Sequence, residues 1–272
     1  MFGYALVELF RSKHEVFALA HADLDITNAD QVHDVLARLR PDVIVHPAGI
    51  PDLDICEADP ARAFVVNFHG TRNIANTARE LNAGVVYISS DTVYDGTKQS
   101  PYIESDLTCP ISVYGRAKLR GEQAVSVLPE HWIFRVSVLF GPGKANFVSK
   151  LLQKLRTGER PMVASDQLGS ATYTVDAAQK IMEVVEARRF GIYHLSNQGT
   201  CSRLELAQES AKLAGLDPGM IVAKPSDQMG RRGARLKYAV MEMAALKREG
   251  FALPRPWKES LAGYLADLKS EI

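Results

Sequence analysis

The sequence predicts an α/β chain: a doubly wound parallel sheet with helices on both faces, followed by a smaller C-terminal α/β lobe. Two observations predict the sheet. Short β-branched runs alternate with helical stretches through the first half of the chain, and strands joined by helices at that spacing form right-handed crossovers. The runs Asp42-Val-Ile-Val-His46 and Val85-Val-Tyr-Ile-Ser89 are almost continuously apolar, as strands covered on both faces are. A third observation predicts the lobe. After Gly141-Pro-Gly143 the alternation loosens into shorter pieces.

In chain order, Met1-Phe-Gly-Tyr-Ala-Leu-Val-Glu-Leu-Phe10 already carries a helical pattern. Glu15-Val-Phe-Ala-Leu19 is expected as a strand. Asn28 is a side-chain cap for a helix reaching about Leu39, which Pro41 ends. The Asp42–His46 strand follows. A longer helix is expected from about Pro60 to Leu81, stopped at Asn82-Ala-Gly84. Next come the Val85–Ser89 strand, a helix from about Ser112 to Val127, and a strand at Trp132–Val138. Beyond Gly143, helices are expected near Asn146–Thr157, Val175–Ala187, Ser202–Ala214 and Trp257–Leu268, with strands at Pro161–Ala164 and Gly191–Leu195. The expected division is a dinucleotide-binding domain over residues 1–142, completed by about 171–196. Residues 143–170 and 197–272 make the substrate lobe.

Composition narrows the function. With 272 residues and 46% hydrophobic content the chain can bury one large core, or a large core plus a small lobe. Formal net charge is zero. The pairs Arg188-Arg189 and Arg231-Arg232 are too short for a nucleic-acid track. Cys56, Cys109 and Cys201 show no paired spacing, which argues against a disulfide framework or zinc site and fits a reducing, cytoplasmic location. The histidines have no i, i+4 pairing, so no metal site is expected. No apolar stretch reaches about 18 residues, so no membrane span is expected. The N-terminus lacks the basic segment of a signal peptide.

The chemistry centres on Ser90, just past the carboxyl end of an expected strand, where open parallel sheets bind ligands. Downstream, Tyr114-Gly-Arg-Ala-Lys118 puts a phenol and an ammonium on one helix face. An adjacent ammonium favours the phenolate, and lowering a phenol pKa by about 3 units takes about 4 kcal/mol. A hydroxyl such as Ser90 then shares the proton and holds a substrate oxygen, the equipment for proton transfer at a carbonyl or alcohol. The spacing alone also fits a surface tyrosine beside a lysine; the strand-end position of Ser90 is what favours a site.

A dinucleotide-binding, Rossmann-like fold opens with a strand and a Gly-rich turn at a helix N-terminus. Here the chain opens on the helix, with Gly3 standing as the last glycine of such a turn. The expectation is a chain truncated relative to the functional protein, the alternative a relative that rebuilds the sheet another way. The first strand lies mid-sheet, so its loss leaves unpaired backbone on both neighbours.

Together these residues resemble the extended short-chain dehydrogenases/reductases, and within them the dTDP-4-dehydrorhamnose reductases. The carriers are Asp23-Leu-Asp-Ile-Thr27, Arg40-Pro-Asp-Val-Ile-Val45, Asp54 with Glu57, Val66-Asn67, Ile88-Ser-Ser-Asp-Thr-Val-Tyr-Asp-Gly96 and Pro101-Tyr-Ile-Glu104. They continue through Val113-Tyr-Gly-Arg-Ala-Lys-Leu-Arg-Gly-Glu122, Phe134-Arg135, Gly141-Pro-Gly143, Asn146-Phe-Val148, Asp166-Gln-Leu-Gly169 and Thr172-Tyr-Thr-Val-Asp176.

The resemblance implies reduction of a 4-keto-6-deoxy sugar nucleotide, dTDP-4-dehydrorhamnose to dTDP-L-rhamnose, for cell-surface polysaccharide. Hydride comes from NADPH, with NADH as the alternative. Ser90 takes the catalytic Ser/Thr position, Tyr114 is the general acid, and Lys118 lowers its pKa while holding the nicotinamide ribose. Gly3, Asp25, Ile26, Ala48, Gly49 and Asn67 join Tyr114 and Lys118 as cofactor-binding residues. Asn146, Phe147 and Gln167 fall where the sugar nucleotide is expected. Arg235 is the arginine expected on its diphosphate, since a guanidinium suits phosphate. A homodimer is compatible with this reading.

Two departures stand out. Leu19-Ala20-His21 has no carboxylate where an NAD site holds a ribose 2′-hydroxyl, which admits NADPH and leaves His21 either beside its phosphate or as a loop residue. Ser170-Ala171 replaces a frequent proline. His46 is expected as a buried strand-end residue, Asp54 and Glu57 as a solvated loop. Three alternatives are weighed. A 4,6-dehydratase needs a second carboxylate where Thr92 follows Asp91. A 4-epimerase shares the Ser90-x-Thr92-Val-Tyr94 pattern. A non-catalytic regulator resembling the regulatory subunit of methionine adenosyltransferase would not need Ser90, Tyr114 and Lys118 intact.

Overall fold

The computed structural model describes residues 1–270. Four parallel strands form the central sheet in the order Val43–His46, Gly84–Ser90, His131–Val136, Gly191–Leu195. The register sets His46 beside Tyr87, Ser90 beside Val136 and Arg135 beside His194. Because all four run the same way, their carboxyl ends open on one edge.

Side chains alternate across a strand, and both faces here are covered. Val86, Ile88, Trp132 and Phe134 meet Phe2, Leu6 and Phe10 of the Phe2–Phe10 helix and Ile181 of the Thr174–Glu186 helix. On the opposite face, Val85, Tyr87 and Ile133 meet Val32 and Leu36 of the Ala29–Leu39 helix and Ile74 and Ala78 of the Thr71–Leu81 helix. Local chemistry sets the helix ends: Asn28 Oδ1 accepts from Gln31 N at 3.1 Å. Arg40 (φ 47) and Asn82 (φ 56) close their helices in the left-handed conformation.

A separate core gathers Phe140, Leu152, Tyr173, Leu206, Trp257 and Leu261. It draws on the Phe147–Arg156, Arg203–Leu213 and Trp257–Ser270 helices. Beside it, Leu168–Gly169 pairs with Tyr238–Ala239 and with Cys201–Ser202. Within the sheet domain runs a buried polar network. Arg135 donates to Glu122 from Nε at 3.0 Å and from Nη2 at 2.7 Å, and to Tyr94 Oη from Nη1 at 2.7 Å. Ser89 Oγ donates to Glu122 at 2.5 Å, and Tyr94 Oη lies 2.7 Å from His194 Nε2.

Three expectations change. Glu15–Leu19 forms no strand, and its Phe17 and Leu19 are 51% and 42% exposed. A strand exists through its ladder, and among the described residues nothing pairs with this segment or with the outer edge of Val43–His46. The single helix over Pro60–Leu81 is interrupted by a wider π-turn at Val65–Gly70. Finally, the third strand stops at Val136. Val138 sits at φ 31, a strained conformation for a β-branched residue. Among the described residues no helix is long and apolar enough to cross a membrane.

Candidate active site

A groove of about 1730 Å³ runs along the outer edge of the Val43–His46 strand, unpaired among the described residues, and across the carboxyl ends of the sheet, from the Phe2–Phe10 helix to the lobe. Every site residue expected from sequence lines it.

Ser90 ends the second strand. Its Oγ lies 2.9 Å from Asp91 Oδ1 and accepts from Thr92 N at 3.2 Å and Thr92 Oγ1 at 3.0 Å. Tyr114 stands in the first turn of the Val113–Val125 helix, which Ser112 caps through Gly115 N at 3.0 Å. Gly115 sets the fit: a Cβ there would lie 2.1 Å from Thr92 O, so only glycine lets this helix rest on the turn after Ser90. The Tyr114 phenol is thereby set close enough to Ser90 for that hydroxyl to act on its pKa.

The electrostatics differ from the sequence expectation. Lys118 does not lower the Tyr114 pKa in this geometry. Its Nζ donates to Ile88 O at 2.5 Å and sits 4.0 Å from the Tyr87 ring centre. Burial pushes that ammonium down to about 7, against the pull of Glu122. The phenol moves up, driven by burial first, then by Asp91 and Cys56, with Ser90 opposing. A phenol held high keeps its proton at neutral pH, which is the form a general acid starts from.

Several expected residues line the groove with their polar atoms already engaged. Asn67 clamps the loop after His46, accepting from Ile50 N at 2.7 Å and donating to Ile50 O at 3.1 Å. Gly49 passes so close that a Cβ would lie 2.7 Å from Asn67 Oδ1. Asn67 therefore shapes the Ala48-Gly49 wall rather than offering a free amide. Asn146 caps the Phe147–Arg156 helix, and its amide also donates to Gly141 O at 2.9 Å and Tyr264 Oη at 3.0 Å. Arg235 grips Asp54 with both nitrogens, at 3.1 and 3.0 Å, and holds that carboxyl down at about 2. Asp54 is thus an ion-pair partner, not a solvated loop residue. Asp25 is fixed by Thr27 N and Oγ1 at 2.9 and 2.8 Å, which lowers its pKa. Ile26 packs on Gly70, and Gly3 sits in the uncapped first turn of the Phe2–Phe10 helix. His46 is buried, 3.1 Å from Thr71 Oγ1, and pushed down to about 3 by burial and Lys118.

Gln167 is different. Its Nε2 is buried without a partner, and a buried orphan donor facing a groove marks a place for a ligand. Phe147 lies under the Arg203 guanidinium, 5.1 Å from ring centre.

Sequence reasoning missed three neighbours. Asp91, weighed there only against dehydration, receives Ser137 Oγ at 2.5 Å on Oδ2. Ser137 follows a strand end, a position that was signal enough. Arg203, opening the Arg203–Leu213 helix, faces Asp91 with its charge.

Comparison with known proteins adds identity. Residues 1–270 match the family model described as RmlD substrate binding domain. A dTDP-4-keto-6-deoxy-D-glucose reductase of Streptomyces niveus is 37% identical over 264 residues, covering 96% of this chain and 92% of the relative. The dTDP-4-dehydrorhamnose reductase of Streptomyces griseus is 34% identical over 269 residues, covering 96% of this chain and 88% of the relative. Among solved structures, the dTDP-4-dehydrorhamnose reductase of Bacillus anthracis in complex with NADP superposes with a TM-score of 0.94 at 32% identity, covering 98% of this chain and 95% of that one.

Proposed function

The chain belongs to the RmlD substrate binding domain family, that of the dTDP-4-dehydrorhamnose reductases, and from that premise we propose that Ser90 and Tyr114 carry out its reduction of a 4-keto-6-deoxy sugar nucleotide. The reaction is NADPH-dependent and yields dTDP-L-rhamnose from dTDP-4-dehydrorhamnose, in agreement with the NADP-bound relative. The observation that carries the residue assignment is the juxtaposition of Ser90 and the Tyr114 phenol at a strand's carboxyl end, with the phenol kept protonated.

The residues present fit a dinucleotide in the half of the groove nearest the Phe2–Phe10 helix. That helix has no side-chain cap on its first N–H groups, the arrangement that receives a pyrophosphate. Gly3 leaves the backbone approachable there, Asp25 and Ile26 flank the adenine end, Ala48 and Gly49 form the wall, and Lys118 and Tyr114 stand by the nicotinamide ribose. His21 lines the same half, and no carboxylate stands at that position to repel a 2′-phosphate. When bound, NADPH supplies the hydride. Tyr114 gives its proton to the keto oxygen as charge develops there, and Ser90 holds that oxygen. Gln167 Nε2 and the Arg203–Phe147 stack orient the sugar nucleotide from the lobe side.

We assign residues 1–142, with about 171–196, to the dinucleotide half and 143–170 with 197–272 to the substrate half. Two things support that division: the Gly191–Leu195 strand adds to the main sheet, and the lobe has its own core. Three free cysteines support a cytoplasmic location.

The test is NADPH oxidation with dTDP-4-dehydrorhamnose, wild type against Tyr114→Phe. Removing the acid is expected to lower kcat by about a hundredfold or more. Equal rates would overturn the assignment of Tyr114.

A further inference from the structure

We infer that Arg203, assisted at the rim by Arg231, receives the diphosphate of the sugar nucleotide, while Arg235, the arginine singled out from sequence, is a scaffold for that site. This rests on the reading of the groove's lobe side proposed above and names its chemical contact.

The register of the small lobe sheet leads there. Leu168 lies opposite Ser202 on an antiparallel strand, and one step further Arg203 N donates to Gln167 O at 3.0 Å. Gln167 and Arg203 are therefore cross-strand neighbours. Side chains directly opposite share a face, with Cβ atoms about 5 Å apart, and both of these line the groove. Gln167 is only 7% exposed, and its Nε2 has no partner among the described residues. A buried donor of this kind is satisfied by an acceptor that arrives with a ligand.

Arg203 supplies the stronger donors. Phe147 covers the face of its guanidinium, 5.1 Å from ring centre. Stacking fixes the plane and leaves the N–H edge open, the edge that forks onto phosphate oxygens. Among the described residues no carboxylate forms an ion pair with Arg203 and no acceptor takes its side-chain N–H groups. Asp91 faces it with its charge, but both Asp91 oxygens are engaged, Oδ1 with Ser90 at 2.9 Å and Oδ2 with Ser137 at 2.5 Å. Burial weighs on the Arg203 charge first, and Arg231 and Arg235 add repulsion. An anion relieves all three effects.

Arg235 is held back by its own partner. It grips Asp54 with both nitrogens, and Asp54 Oδ1 also accepts from Gly233 N at 2.8 Å, so the pair closes the turn that carries Arg231. Arg231 is exposed and lines the groove. A cation at such a rim contributes less than a half-buried one.

The experiment measures binding of dTDP and of thymidine by calorimetry, the two ligands differing only in the diphosphate. Wild type should bind dTDP far more tightly than thymidine. Arg203→Met, which keeps an apolar stem against Phe147, should weaken dTDP about thirtyfold, the range of charge-assisted hydrogen bonds, and leave thymidine within twofold. Arg203→Lys keeps the charge without the fork and should lose about fivefold; it reads the same contact if the Met variant does not fold. Arg231→Met should lose about threefold. The double variant Asp54→Asn with Arg235→Met removes the ion pair without stranding a charge and keeps an oxygen for Gly233 N; its dTDP affinity should stay within threefold of wild type. Equal weakening of dTDP and thymidine in Arg203→Met marks a merely structural role and overturns the inference, as does unchanged dTDP affinity or a double variant as impaired as Arg203→Met. A wild type that shows this dTDP pattern yet oxidises no NADPH with dTDP-4-dehydrorhamnose would support the diphosphate site while overturning the assignment of the reaction.

Discussion

Gly115→Ala offers a direct test of how tightly the site is built. The new Cβ would stand 2.1 Å from Thr92 O and 3.0 Å from Pro110 Cβ, while observed Cβ contacts stop near 3.0 Å. Thr92 O is backbone, so no side-chain rotation relieves the clash; the helix or the turn must move by about an ångström. Overpacking of this kind costs about 1–3 kcal/mol, and a contact with backbone belongs at the upper end. The same displacement separates Tyr114 from Ser90, and a 1 Å misplacement of reacting groups costs about a hundredfold in rate. Urea unfolding measures the first quantity and NADPH oxidation the second. Since the cofactor wall at Ala48-Gly49 is untouched, KM for NADPH should change far less than kcat. A Gly115→Ala enzyme with near-wild-type kcat would refute the claim that the Tyr114 helix and the Ser90 turn are held in fixed register by this glycine.

Other consequences can be checked in the same assays. Arg135→Met leaves Glu122 buried beside Ser89 without its guanidinium, and breaking a buried pair from one side costs about 3–5 kcal/mol; a loss under 1 kcal/mol in urea would contradict that burial. Burial holds the Lys118 ammonium down at about 7 in the folded chain, against about 10.5 for an exposed lysine, so between those values the unfolded chain binds more protons and stability rises with pH. Lys118→Met should accordingly be more stable than wild type near pH 6, with the gap closing toward pH 10 in pH-dependent thermal melts. Gln167→Leu removes the unpartnered amide and should raise KM for the sugar nucleotide about fivefold, the worth of one net hydrogen bond of about 1 kcal/mol, leaving kcat nearly unchanged.

The fold was legible because its signals are local. Near-continuous apolar runs at Val43–His46 and Gly84–Ser90 reflect a sheet covered on both faces, and Asn28, Ser112 and Asn146 mark helix starts through their own side chains. Where those signals depend on a partner they fail. Glu15–Leu19 has the composition of a strand and no ladder to join. The π-turn at Val65–Gly70, within which Asn67 holds Ile50, left no mark in the residue pattern.

The site divides in the same way. Sequence alone marked the candidates for the chemistry: a hydroxyl at a strand end, and a phenol and ammonium one helical turn apart, because strand ends and helical periodicity are written in the order of residues. Tertiary structure decided what those groups can do. Whether Lys118 acts on Tyr114 or lies against Tyr87 and Ile88 O depends on packing. So does the engagement of Asn146 and Arg235 within the protein, while Gln167 Nε2 stays unpartnered. The pairing of Ser137 with Asp91 joins two strand ends that only the sheet brings together. Protonation states and free donors follow from burial and neighbours, and neighbours distant in sequence exist only once the chain is folded.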